Sequence, residues 1–182
     1  VSDARAAAIA HALVELYPSA NAEIRAAILE SQFFSHPAVN DKSRLAAVHA
    51  FVGSLHEFRF ERQIELVQLA LAQCGSVALE PLREAMVHSG HDVTRLSAAL
   101  LLPRIVETNP KLGAKQLKQL VTSVRELTDA EETDFPDRGP LFIAMGRIAA
   151  HASFPAAEAD SLARHLRDIL GRTSAVYDVL EG

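Results

Sequence analysis

The stretch LEPLREAMVHSGHDVTRLSAALLLPRIVE, residues 79–107, decides the fold. Its apolar residues recur at three and four, break at Ser89-Gly90, and resume after Asp92. That spacing is the pattern of two amphipathic helices joined by a tight turn. The second of them is unusual. Val93, Leu96, Ala98, Ala99, Leu100, Leu101, Leu102, Ile105 and Val106 surround it on most sides. A helix apolar nearly all round has to be covered nearly all round, so an inner helix sandwiched between neighbouring helix pairs is expected. Pro103 inside it removes one backbone donor and should bend it.

Similar segments extend in both directions. Ser2 is read as the cap of a first helix that Tyr17-Pro18 stops. Asn21 caps a second, with Ile24, Ile28, Leu29 and Phe33 on its stripe, and His36-Pro37 ends it. A third starts at Asp41, with Leu45, Val48, Phe51, Val52 and Leu55 as its apolar face. A fourth runs from about Phe60 to Gln73, and Gly75 closes it in the left-handed region. Ser76 is read as the cap of the fifth and Asp92 as the cap of the sixth. Beyond Asn109-Pro110, a seventh helix over 111–127 carries Leu117, Leu120, Val121, Val124 and Leu127. A polar loop over 128–138 follows, then an eighth helix near 140–151 and a ninth near 156–170. Gly171 should end the ninth, leaving a short final helix over 174–180. No segment alternates like a strand, and no Asn-Gly or Asp-Gly hairpin turn occurs. The chain is therefore expected to be all-α, and short connections favour antiparallel neighbours.

Composition narrows the function classes. The 182 residues correspond to one domain by length, and 49% of them are hydrophobic, too many for a disordered chain. Eighteen basic against 23 acidic residues give a net charge of −5, without the broad cationic field that a phosphate backbone requires. There is no Trp and there are two Tyr, so platforms for stacking bases are sparse. Nucleic acid is not an expected partner. Neither is a membrane: no apolar run approaches the roughly 18 residues of a span. No signal peptide opens the chain, and the single cysteine, Cys74, excludes an internal disulfide. A buried thiol in a cytoplasmic protein is expected. The chain begins at Val1, which suggests a domain trimmed or excised from a longer protein.

The helix openings resemble the HEAT-repeat family. Its second helix starts with an acidic residue, an apolar residue and an arginine, followed by small residues and leucines. Here Asp92-Val93-Thr94-Arg95 is followed by Ala98, Ala99 and Leu102. Asn21-Ala22-Glu23-Ile24-Arg25-Ala26-Ala27 is a second copy, and Asp41-Lys42-Ser43-Arg44-Leu45-Ala46-Ala47 and Asp137-Arg138 are fainter ones. The resemblance implies a right-handed α-solenoid of about four to five antiparallel helix pairs spanning 1–182. It also implies structural roles for Asp92 and Arg95. Without a nucleophile motif, a phosphate loop or a full metal set in the sequence, a non-catalytic scaffold that binds another protein is expected.

Two features carry other chemistry. His56-Glu57 and His91-Asp92 lie 35 residues apart, close to one repeat, so two imidazoles and two carboxylates can converge on one edge. Such a set suits iron, zinc or manganese. HEAT-like di-iron hydroxylases, the deoxyhypusine hydroxylases, use His-Glu pairs in several repeats. This chain has one His-Glu and one His-Asp, so the simpler reading is a helix cap with packing histidines and no cofactor. A HEAT-like cofactor or chromophore lyase is a further alternative. The loop with Asp129, Glu131, Glu132, Asp134 and Phe135 is an acidic connector with one aromatic, which is the composition of a docking element. It lacks the spacing and turn glycine of a calcium loop. Serine nucleophile motifs, phosphate loops and paired cysteines do not occur.

Overall fold

The computed structural model describes residues 2–57, 61–129 and 135–180, leaving aside the side chains of 61–63, 135–137 and 170–180. Among the described residues every regular element is helical. In chain order these are α1 (Asp3–Leu16), α2 (Ala22–Glu30), α3 (Asp41–Gly53), α4 (Glu61–Cys74), α5 (Leu79–His88), α6 (Asp92–Glu107), α7 (Ala114–Asp129), α8 (Phe135–Ala149) and α9 (Ala156–Leu180). Length leads to an expectation of one domain; the helices group into two compact units, Val1–Asn109 and Pro110–Gly182.

The first unit packs with a regular alternation. α1 lies against α3 and α3 against α5; α2 lies against α4 and α4 against α6. α3 also meets α4, and α5 meets α6. Odd-numbered helices therefore make one layer and even-numbered helices the other. The core between them holds an aromatic cluster in which Tyr17 and Phe34 each meet Phe51 edge-on, at 4.9 and 5.6 Å between ring centres. Leu71, Leu82, Met86, Leu101, Leu102 and Ile105 continue it, all fully buried. In the second unit α8 packs against α7 and α9. Leu117, Leu120, Val121, Val124 and Leu127 are all buried, as the spacing of α7 predicts.

Several helix ends differ from the sequence reading. Asn40, not Asp41, caps α3, its side-chain oxygen accepting from the Ser43 amide at 2.9 Å. Asn21 caps α2 in the same way, accepting from Ile24. His91 is the cap of α6, and Asp92 is its first helical residue. Ser76 lies in a 3-10 turn, Gly75–Ala78, so α5 starts at Leu79. Gly75 does adopt the left-handed conformation, with φ of 71°. Gly171 does not stop α9, which runs unbroken to Leu180. A helix glycine costs only about 1 kcal/mol relative to alanine, too little to end a helix whose neighbours favour continuing.

One device recurs at three helix openings. Arg25, Arg44 and Arg95 each sit four residues after the cap and reach back to the segment before their own helix. Arg25 donates to the carbonyls of Tyr17 (3.0 Å) and Pro18 (2.6 Å). Arg44 donates to Phe34 (3.0 Å) and His36 (3.3 Å). Arg95 donates to Met86 (3.3 Å). A planar guanidinium reaches more than one carbonyl at once, and Met86 lies in the last turn of α5, where carbonyls lack partners within the helix. The acids expected beside these arginines are there too: Asp41 pairs with Arg44 at 3.2 Å and Asp92 with Arg95 at 3.6 Å.

Arg25 has the most bonds to lose, because its guanidinium also pairs with Glu57 and lies over the Tyr17 ring. Arg25→Ala is expected to lower the unfolding free energy by about 2 kcal/mol, as for loss of charged hydrogen bonds to half-buried acceptors. Arg25→Lys should restore less than half of that, since an ammonium lacks the rigid planar fork that meets both carbonyls and Glu57 together. Urea unfolding of the three proteins checks it; a full rescue by lysine would show that charge alone matters.

Candidate functional site

The two histidine-acid pairs do meet. His56 belongs to a 3-10 turn, Leu55–Glu57, that packs against α6. His91 caps α6, and the two imidazoles stack with ring centres 4.8 Å apart and planes 14° from parallel. The carboxylates take other partners. Glu57 is bound by Arg25, with His56 farther off at 3.9 Å. Asp92 lies beside Arg95 on its own helix.

This arrangement does not match a metal centre. A shared ion needs ring nitrogens and carboxylate oxygens converging at about 2 Å from one point. Stacked rings instead turn their faces to each other, and both acids are held by arginines. Among the described residues no group of three or more His, Cys, Asp or Glu side chains could hold a metal ion. The edge joins the turn after α3 to the start of α6, with Arg25 tying in α2.

Beside it lies an anomaly. Thr94, at 6% exposure, is in the first turn of α6, and its hydroxyl oxygen has no hydrogen-bond partner among the described residues. A buried hydroxyl without a partner costs on the order of 1–3 kcal/mol. Thr94→Val keeps the branched shape and removes that oxygen. It should leave the fold intact and raise the unfolding free energy by about 1 kcal/mol, readable as a higher urea midpoint. A loss of stability would mean that the hydroxyl has a partner in solution.

Cys74 is not poised for chemistry. It is 3% exposed at the end of α4, and burial pushes its thiol up to about 12, slightly offset by Arg44. Burial also raises the Tyr17 phenol above its usual range, against an opposing hydrogen bond from Ser54. Both groups hold their protons more tightly folded than unfolded. Their contribution to stability is therefore complete below the unfolded thiol value near 9 and is lost as the pH climbs toward 12. Native protein should resist thiol alkylation at neutral pH and react once unfolded, and Cys74→Ala should flatten part of the alkaline loss of stability. Rapid alkylation of the folded protein would contradict this.

In the second unit Asp129 is the last residue of α7, 3.6 Å from Arg125. Glu131, Glu132 and Asp134 lie outside the described residues, as does Phe60. Phe135 is the first residue of α8 rather than the tip of a loop. Lys111 and Lys115 are exposed, and Lys118 pairs with Glu158 of α9.

The exposed aliphatic residues were the least visible in the sequence. Ile24 on α2 is 41% exposed, Leu69 on α4 48%, and Val93 and Leu100 on α6 53% and 40%. Three successive neighbours in the even layer thus each leave aliphatic surface uncovered. Ile24, Val93 and Leu100 fall within stripes that spacing reads as core. The available signal was that Val93 and Leu100 are seven residues apart, on one side of α6. No helix among the described residues is long and apolar enough to cross a membrane. No protein-family model, curated protein or solved structure matches the chain.

Proposed function

We propose that this chain is a non-catalytic scaffold that binds another protein through the even-numbered helices of a short, HEAT-like α-solenoid. The observation that carries the reading is the exposed aliphatic set Ile24, Leu69, Val93 and Leu100, on helices packed α2 to α4 to α6. Aliphatic anchors within a rim of charged residues are what protein interfaces use for affinity. Here Glu23, Glu65, Arg104 and Glu107 supply exposed charge on the same helices. The alternation of two layers and the arginine ties support the solenoid, since stacked helix pairs require each helix to meet the one two places along. The setting in this reading is cytoplasmic. The engagement of Glu57 and Asp92 by arginines weighs against a metal-dependent hydroxylase.

The test is quantitative co-purification with the tagged chain, followed by affinity measurement for the protein recovered. Leu69→Ser and Leu100→Ser replace exposed side chains, so melting temperatures should hardly change, while partner affinity falls about tenfold or more. A partner retained at full affinity by the double variant would sink the proposal. So would a near-stoichiometric transition metal with no protein partner.

A further inference from the structure

We draw no further inference here: the strongest candidate, the cavity of about 320 Å³ between α7 and α9 lined by Lys118, Arg125, Glu158 and His165, carries none because Lys118 pairs with Glu158 and Arg125 with Asp129, so nothing in the structure shows what fills it.

Discussion

The packing of the first unit depends on how its helices are tied at their openings. A helix ends with carbonyls that have no partner within it, and short connections leave little chain to supply one. Arg25, Arg44 and Arg95, each four residues after a cap, donate instead to the segment before their own helix. Their acceptors are Tyr17 and Pro18 of one 3-10 turn, Phe34 and His36 at another, and Met86 in the last turn of α5. Because the guanidinium is planar and its stem runs along the helix, the bond restricts the angle between a helix and the segment before it. Repeated at three openings, that restriction fixes three of the turns between successive helices. The acids one turn earlier have a minor part. Asp41 and Asp92 are more than three-quarters exposed, so their pairs are screened.

Helix content and most helix positions were legible in the sequence because period and punctuation agreed. Asn21, Gly75 and the Ser89-Gly90 break all mark real ends. The arginines were legible as a motif, but their bonds were not. Sequence pairs them with nearby acids, whereas each also donates to a carbonyl eight to ten residues back. The Asp41 segment shows how local a motif is. It reads as a second-helix opening, yet α3 packs in the layer of α1 and α5. An arginine tie fixes a turn, and says nothing of the layer into which the next helix falls.

Burial was the harder property. Spacing identifies an apolar stripe but not how much of it a neighbour covers. α7 matches its stripe fully, while α6 leaves Val93 and Leu100 outside. The difference lies in the width of the apolar arc. A narrow arc of Leu117, Leu120, Val121, Val124 and Leu127 is covered by one side of packing. An arc that nearly encircles a helix exceeds what two neighbours can cover, and the remainder faces outward. The histidine edge is the converse case. A spacing of 35 residues rightly brought His56 and His91 together, but spacing carries no information on ring orientation or on Arg25 taking Glu57.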